Sequence, residues 1–246
     1  MHVNLKYVGR RQSAVIFAAC LLGSCLELAC RGGNSQSATP ASIKEERPAP
    51  AESSSNQSAT PTAVRGQLGT IVAFGDSLTA GVAGRTYPDD LQDLLQAHGY
   101  RYRVDNQGVG GDTTTDGLAR IENVIEAHPD LVILEFGGND GLRGTPLNAI
   151  RQNMEAMIRR LQKAHTPVVL LGITLPPNYG PEYVKPFTAM FPELAKEFKI
   201  PYIPFVLQHV YQNPELMQPD GIHPNGEGNK ILAEDVYKLI TPLLKR

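Results

Sequence analysis

Short apolar runs alternate with amphipathic stretches along most of this 246-residue chain, and this alternation constrains the fold more than any other feature. The apolar runs predict β-strands, and the stretches between them carry apolar residues at helical spacing. Strands and helices in alternation build a parallel sheet with helices on both faces. Residues 67–246 are therefore predicted to form one α/β domain, a three-layer α/β/α sandwich around a five-stranded parallel sheet.

The same pattern places the individual elements. The strands are predicted at 71–74, 101–106, 131–136, 167–173 and 202–205. The helices are predicted at 88–98, 116–127 and 146–165, in a stretch ending at 198 that Pro186 and Pro192 interrupt, and at 227–239 beginning near Asn225. The run 131–136 is typical of a central strand that is buried on both faces.

The first 66 residues differ in composition from the domain. Residues 1–30 have a basic start, a short apolar run and then small residues, which is the pattern of a secretory signal peptide. The segment Leu22–Cys25 resembles a bacterial lipoprotein signal, and Cys30 is a second candidate for lipidation. Residues 31–66 are rich in Ser, Thr and Pro and predict a disordered tether. We therefore expect an exported, periplasmic protein anchored to the membrane as a lipoprotein; the alternative is a plain cleaved signal with an incidental cysteine.

Composition excludes several other classes of protein. A net charge of −2 leaves no basic surface for nucleic acid. All three cysteines lie within the first thirty residues, so the domain has no internal disulfide. Asp220 and His223 could be metal ligands, but no other His or Cys stands at ligand spacing nearby, so no metal or cofactor is predicted. Nothing in the sequence requires more than a monomer.

Four polar stretches fit neither a core nor an ordinary turn. They are Gly75-Asp76-Ser77-Leu78, residues 106–113, Gly137-Gly138-Asn139-Asp140 and Asp220-Gly221-Ile222-His223. The first three follow successive strands, and the carboxyl ends of parallel strands meet at one edge of a sheet. We expect them to converge there, with the fourth stretch joining them from the loop before the last helix.

These stretches supply the parts of a nucleophilic site. A serine hydroxyl needs a base that accepts its proton, and His223 is the best candidate to serve Ser77. Asp220 stands three residues before His223 and can orient the imidazole. Read singly, the stretches have a structural alternative, in which Ser77 or Asp76 caps a helix.

The negative charge that forms on an attacked carbonyl needs preset hydrogen-bond donors. The Ser77 N–H, the Asn139 side chain and a glycine N–H of the second stretch can supply them. The residues alone leave open whether that glycine is Gly108, Gly110 or Gly111. The alternative for Asn139 is an ordinary turn position.

The order of these four blocks resembles the SGNH (GDSL) hydrolase family. Segments 134–144, 175–180, 192–198 and 217–225 are similar to its bacterial branch of multifunctional thioesterases, proteases and lysophospholipases (arylesterases). The resemblance covers residues 68–240. It implies a flavodoxin-like sandwich, with Ser77, Asp220 and His223 as the catalytic triad. It also implies an oxyanion hole built from Gly111, Asn139 and the Ser77 N–H.

The resemblance further implies acyl esters and thioesters as small-molecule substrates. Leu142 and Arg143, and Pro177 and Tyr179 on a second loop, are expected to flank the acyl groove; their alternative is a scaffolding role. The predicted function is a serine esterase that acts on lysophospholipids, aryl esters or thioesters through an acyl-Ser77 intermediate. The alternatives are a carbohydrate O-acetylesterase with the same triad, or a non-catalytic lipoprotein that binds lipid or glycan.

Overall fold

Strands and helices alternate throughout the computed structural model, which describes residues 69–246. The predicted signal and tether, with Cys25 and Cys30, lie outside the described residues. The strands are β1 Gly69–Gly75, β2 Tyr102–Asn106, β3 Leu131–Glu135, β4 Val168–Leu171 and β5 Tyr202–Ile203. The helices are α1 Ser77–Ala80, α2 Tyr87–Ala97, α3 Thr114–Glu126, α4 Gly138–Leu142, α5 Leu147–Lys163, α6 Pro181–Phe198 and α7 Gly226–Ile240.

The five strands form one parallel sheet in the order β2-β1-β3-β4-β5. The chain moves outward from β1 to β2 and then returns to place β3 on the other side of β1. Strand order therefore reverses at β1, and such a reversal opens a crevice beyond the carboxyl ends of the two strands beside it. That crevice lies between the segments that follow β1 and β3.

Helices cover the sheet and bury its central strands. The segment from Ile71 to Phe74 and the whole of β3 are buried. Helix α2 packs against α7, whereas α3 packs against α5 and α5 against α6. Each long helix turns an apolar stripe inward, as the spacing of its sequence predicts. On α5 the buried residues are Ile150, Met154, Met157, Ile158 and Leu161. The predicted three-layer α/β/α sandwich is confirmed.

Side-chain caps set where several helices begin. Thr86 and Thr113 each form a capping box at the start of α2 and α3. The cap at Thr113 makes α3 begin two residues before its predicted start. Helix α7 begins directly after Asn225, close to its predicted start, and Asn225 caps it through Oδ1.

Two predictions about the second half of the domain are wrong. Helix α6 runs unbroken through Pro186 and Pro192. An interior proline costs a helix about 3 kcal/mol, but each large side chain that α6 buries contributes about 1.5–3 kcal/mol. Its largest buried side chains are Phe187, Met190, Phe191, Leu194 and Phe198. Strand β5 ends at Ile203, since Pro204 has no N–H to continue the ladder.

No helix within residues 69–246 is long and apolar enough to cross a membrane.

Candidate active site

Ser77 is the first residue of α1, directly beyond the carboxyl end of β1. Asp76 caps this short helix, and its Oδ1 accepts a hydrogen bond from the Leu78 N–H at 3.0 Å. The first N–H groups of a helix have no acceptor within the helix. The Ser77 N–H is one of these groups, so α1 leaves it without a hydrogen-bond acceptor. The capping alternative thus holds for Asp76 and leaves the Ser77 hydroxyl free for another partner.

That partner is His223. The Ser77 Oγ and His223 Nε2 atoms are 2.8 Å apart, and His223 Nδ1 lies 2.7 Å from Asp220 Oδ2. With the proton on Nδ1, the imidazole donates to Asp220 and accepts from the serine hydroxyl. The structure therefore brings the three predicted residues into one continuous relay, although 146 positions separate the serine from the histidine.

Asp220 is held in place by its own loop. Its Oδ1 accepts hydrogen bonds from the backbone N–H groups of Ile222 at 2.9 Å and His223 at 3.0 Å. Burial raises the pKa of Asp220, but these two bonds and the one from the imidazole outweigh it and lower the pKa to about 2. Asp220 is therefore ionised at neutral pH and oriented towards the histidine.

The predicted glycine donor lies on the loop between β2 and α3. Gly111 has a φ of 85°, a conformation that glycine adopts without strain. Among the described residues, none accepts a hydrogen bond from its N–H. Its carbonyl accepts from Arg143 Nη2 at 3.0 Å, and the neighbouring Asp112 carboxylate pairs with Arg120 Nε at 2.8 Å. Two arginines thus hold this loop.

The glycines near Gly111 have different surroundings. A Cβ added to Gly108 would lie 2.1 Å from the Ala80 nitrogen, so Gly108 allows the loop to pack against the end of α1. Gly110 lies beside Ser77, with 4.0 Å between an added Cβ and the serine Cβ. The choice of Gly111 as oxyanion donor came from family resemblance and stays a prediction.

Asn139 lies in α4, beyond β3, and reaches the same edge of the sheet. Its Nδ2 donates to Asp76 Oδ2 at 3.1 Å and to the Asp112 carbonyl at 2.9 Å. An amide nitrogen carries two hydrogens, and both are used in these contacts. Any further acceptor at Asn139 must therefore share one of these hydrogens or displace its partner.

A cavity of about 280 Å³ opens beside the serine. Ser77, His223 and Asn139 contribute to its wall, and most of the remaining wall is apolar. The apolar lining residues are Leu78, Leu142, Ile173, Leu175, Pro176, Phe205, Leu207, Tyr211 and Ile222. Such a cavity, with few polar groups converging at one end, suits a ligand that has a long apolar part.

Only one of the four predicted groove residues reaches this lining, namely Leu142. Arg143 instead contacts the Gly111 carbonyl. Tyr179 donates its hydroxyl hydrogen to the Leu142 carbonyl at 3.2 Å, and Pro177 lies with it in a short 3₁₀ turn. These three residues surround the cavity wall without forming it.

Sequence reasoning missed two parts of the site. Phe205, Leu207 and Tyr211 line the cavity from the segment after β5, and no pattern in that segment marks them. Glu135 is a buried carboxylic acid that contacts the backbone N–H of Asp76. It stands inside the run 131–136, where a single ionisable residue among apolar ones was the available signal.

Within residues 69–246, no group of three or more His, Cys, Asp or Glu side chains is arranged to hold a metal ion.

Comparisons with known proteins agree with this geometry. A family model described as the GDSL-like lipase/acylhydrolase family matches residues 73–231. An arylesterase of Vibrio mimicus is 41% identical over 170 residues, covering 68% of this chain and 85% of that protein. Thioesterase 1/protease 1/lysophospholipase L1 of Escherichia coli strain K12 is 38% identical over 179 residues, covering 71% of this chain and 85% of that protein.

Solved structures give the same result. The crystal structure of TesA superposes with a TM-score of 0.68 at 40% identity, over 71% of this chain and 99% of that chain. The esterase EstA from Pseudoalteromonas sp., inhibited by monoethylphosphonate, superposes with a TM-score of 0.67 at 30% identity, over 71% and 97% of the two chains. Fold and relatives define an ester-hydrolysing serine hydrolase. The chain belongs to the GDSL-like lipase/acylhydrolase family of carboxylic ester hydrolases.

Proposed function

We propose that this enzyme cleaves acyl esters of apolar carboxylic acids through an acyl-Ser77 intermediate. The observation that carries the proposal is the relay from Ser77 through His223 to Asp220 at the mouth of an apolar cavity. A serine, a base and an orienting carboxylate within hydrogen-bond reach of one another form the arrangement that activates a hydroxyl nucleophile.

Acylation uses the relay in two steps. Ser77 Oγ attacks the ester carbonyl while His223 Nε2 accepts the hydroxyl proton, and Asp220 stabilises the imidazolium that forms. The tetrahedral intermediate then collapses, its bond to the alcohol oxygen breaks, and His223 returns the proton to that oxygen. The alcohol leaves, and the acyl group remains on Ser77.

Deacylation repeats this chemistry with water. His223 accepts a proton from the attacking water molecule, the new tetrahedral intermediate collapses, and Ser77 Oγ leaves and regains its proton. The carboxylic acid is released and the enzyme is restored. No cofactor takes part in either half of the cycle.

The oxyanion is stabilised by the N–H groups of Gly111 and Ser77 and by the Asn139 amide. The two backbone donors have no competing partner within the site, whereas Asn139 already bonds Asp76 and the Asp112 carbonyl. We propose that the oxyanion shares an Asn139 hydrogen as charge develops. A donor of this kind contributes about 10²–10³-fold to turnover.

The cavity supports medium-chain or longer acyl groups over acetyl groups. Leu142, Leu175 and Phe205 belong to its apolar wall, which can contact the chain of an acyl group. Each methylene buried there contributes about 0.8 kcal/mol, which an acetyl group cannot use. Lysophospholipids, aryl esters and acyl thioesters fit this shape, and nothing in the cavity favours a carbohydrate O-acetylesterase.

An active-site probe tests the nucleophile. A fluorophosphonate should label the wild-type enzyme and leave Ser77→Ala unlabelled, because the probe phosphonylates only an activated serine. The Ser77→Ala protein keeps every other serine of the chain and therefore measures the background labelling. Equal labelling of the two proteins would refute the acyl-Ser77 mechanism.

A series of p-nitrophenyl esters tests the acyl group. We expect kcat/KM to rise from acetyl to octanoyl, since the longer chain fills the cavity. Activity confined to the acetyl ester would favour the O-acetylesterase alternative.

We also propose that the protein is exported and acts as a monomer anchored through a lipidated Cys25 or Cys30. The composition of residues 1–66 supports export and a tether. Mass analysis of the mature N-terminus decides the anchor: a diacylated cysteine is expected, and an unmodified residue downstream of Cys30 would refute it.

A further inference from the structure

Glu135 is a fully buried carboxylic acid at the end of β3, where the chain enters the site. Its Oε2 accepts hydrogen bonds from the Asp76 N–H at 3.3 Å and from Thr79 Oγ1 at 3.0 Å. Both donors belong to the turn that carries Ser77. Gly75 makes room for the Glu135 carboxyl group, since a Cβ added there would lie 2.6 Å from Oε2.

The other carboxyl oxygen of Glu135 has no donor. Oε1 is buried and receives no hydrogen bond from any described residue. An unpaired carboxylate oxygen in an apolar interior is costly, whereas a protonated carboxyl group is neutral and becomes a donor itself. The geometry therefore favours the protonated, neutral form of Glu135.

Asp76 is the acceptor for that proton, because the two carboxyl side chains are hydrogen-bonded to each other. Burial and the adjacent Asp76 charge raise the pKa of Glu135 well above its ordinary value, against the opposing bonds from Thr79 and the Asp76 N–H. Burial also raises the pKa of Asp76, but only to about 6, because hydrogen bonds from the Leu78 N–H and the Glu135 side chain oppose it. Glu135 thus keeps its proton at neutral pH, and Asp76 is the ionised member of the pair.

Asp76 in turn binds Asn139, because its Oδ2 accepts from the amide nitrogen at 3.1 Å. The alternative orientation of this amide would place its oxygen, instead of its nitrogen, against the Asp76 carboxylate and the Asp112 carbonyl. An ionised Asp76 favours the orientation in which the NH₂ group faces it, since a carboxylate accepts hydrogen bonds and repels a carbonyl oxygen. The amide orientation at the oxyanion position therefore depends on Asp76.

We propose that Glu135 is a positioning residue for the ester hydrolysis: as a neutral acid it donates to Asp76, and Asp76 holds the Asn139 amide with its N–H groups towards the oxyanion. The same side chain fixes the Ser77 turn through its bonds to the Asp76 N–H and to Thr79. Glu135 touches no reacting atom. The inference rests on the proposed serine mechanism and adds Asp76 and Glu135 to it as positioning residues.

Other ionisable groups surround this pair and bear on its protonation. Tyr87 of α2 lies within 3.4 Å of Thr79 Oγ1 and faces both carboxyl groups. The Asp140 charge raises the pKa of Asp76, and the His223 charge lowers it. None of these three groups is hydrogen-bonded to Glu135, so Asp76 remains its acceptor among the described residues.

Two substitutions separate a neutral acid from a carboxylate. In Glu135→Gln the amide oxygen can accept from Asp76 N–H and Thr79, and the amide N–H can donate to the Asp76 carboxylate as a protonated acid would. Glu135→Met has a similar volume and neither function. The matched control is Asp90→Asn, because Asp90 is also a buried carboxylate with one unpaired oxygen but lies on α2 against Arg85.

The measurement is kcat and KM on p-nitrophenyl butyrate, per site titrated with fluorophosphonate, across the pH range from 5 to 9. We expect Glu135→Met to lower kcat by about 10- to 100-fold with little change in KM, since small displacements of catalytic groups cost this much. Glu135→Gln should keep kcat within about threefold and leave the pH profile unmoved, as expected for a neutral hydrogen-bond substitute. Asp90→Asn should match the wild type.

A Glu135→Met enzyme with wild-type kcat would overturn the inference, as would a Glu135→Gln enzyme that loses as much as Glu135→Met. If Glu135→Met does not fold, the kcat and pH profile of Glu135→Gln decide: a moved profile shows that Glu135 titrates and overturns the proposal. A wild-type protein that the probe fails to label would refute the serine mechanism itself, which is a separate result.

Discussion

Two carboxylates stand on either side of the nucleophile, and their surroundings shift their pKa values in opposite directions. Asp220 is close to half exposed and bonds two backbone N–H groups and an imidazole, so its pKa falls to about 2. Asp76 is 2% exposed, and burial raises its pKa to about 6 against the opposing hydrogen bonds from the Leu78 N–H and Glu135. Burial acts on both carboxylates, but it outweighs the hydrogen bonds only at the more deeply buried Asp76.

This difference teaches that ionisation alone does not identify the triad acid. Both residues are ionised at neutral pH and both lie near the serine. Asp76 precedes Ser77 in the chain, and Asp220 is linked to it through His223. Only Asp220 contacts the imidazole Nδ1, and Asp76 contacts an amide and a helix N-terminus. Asp220 acts on proton transfer, whereas Asp76 acts on the placement of an oxyanion donor. The predictions below test this division of roles.

The largest effect on kcat is expected at Asp220, the more exposed of the two carboxylates. Asp220→Asn should lower kcat by about 10⁴-fold, because the amide no longer holds the imidazole in the tautomer that accepts the serine proton. Initial rates on p-nitrophenyl butyrate measure it. Asp235→Asn is the matched control, since Asp235 pairs with His209 Nδ1 at 2.5 Å away from the serine. A loss below tenfold in Asp220→Asn would remove Asp220 from the triad.

The next effect concerns the residue that Asp76 holds. Asn139→Ala should lower kcat by about 10²–10³-fold with a small change in KM, since an oxyanion donor acts mainly in the transition state. Asn153→Ala serves as the control because its amide nitrogen also donates two hydrogen bonds, to Thr114 and Thr115, outside the cavity lining. Equal kcat values in the two variants would mean that Asn139 has no role beyond structure.

A smaller effect on activity, combined with a gain in stability, is expected at Asp76. Asp76→Asn keeps an oxygen that can cap α1 but loses the charge that orients Asn139, so kcat should fall about tenfold. The free energy of unfolding at pH 7 should rise by about 1–3 kcal/mol, because a buried carboxylate with a raised pKa is costly to ionise. Urea unfolding and initial rates measure the two. A variant that is less stable than the wild type would contradict the buried-charge argument.

The smallest effect is a pair of opposite pH dependences. The pKa of Asp220 is lower in the folded state, so its contribution to stability is present above about pH 4 and is lost as the pH falls towards 2. The pKa of Asp76 is higher in the folded state, so its contribution is present below about pH 4 and is lost as the pH rises through 6.

Urea unfolding of wild type and both Asn variants as a function of pH checks these signs. The stability gap between wild type and Asp220→Asn should shrink from pH 5 to pH 2. The advantage of Asp76→Asn should grow between pH 4 and pH 7. Parallel curves for all three proteins would show that neither carboxylate changes its pKa on folding.

Much of the fold followed from local pattern. The apolar run Ile71–Phe74 predicted β1, and the apolar stripe on α5 predicted that helix. Both patterns are formed by residues that lie close together in the sequence. The start of α7 near Asn225 was also predicted, because the residues that begin a helix are neighbours in the chain. The unbroken α6 was not readable, since the packing that offsets Pro186 and Pro192 comes from distant parts of the chain.

The site, like the fold, was predictable from the sequence only in part. The sequence by itself determined that Ser77, Asp220, His223 and Asn139 follow strands or precede a helix, and parallel topology then requires most of them to meet at one edge. Family resemblance, and not local pattern, selected Gly111 among its neighbours.

Only the tertiary structure decided how far the cavity extends and which carboxyl groups are buried together. The pairing of Asp76 with Glu135 joins residues 59 positions apart, and Phe205, from the segment after β5, lines the same cavity as the serine. Sequence periodicity reports which face of an element is apolar; it does not report which two buried groups come within hydrogen-bond distance. That distance depends on how the elements pack, and it gives the two carboxylates beside Ser77 their different chemistry.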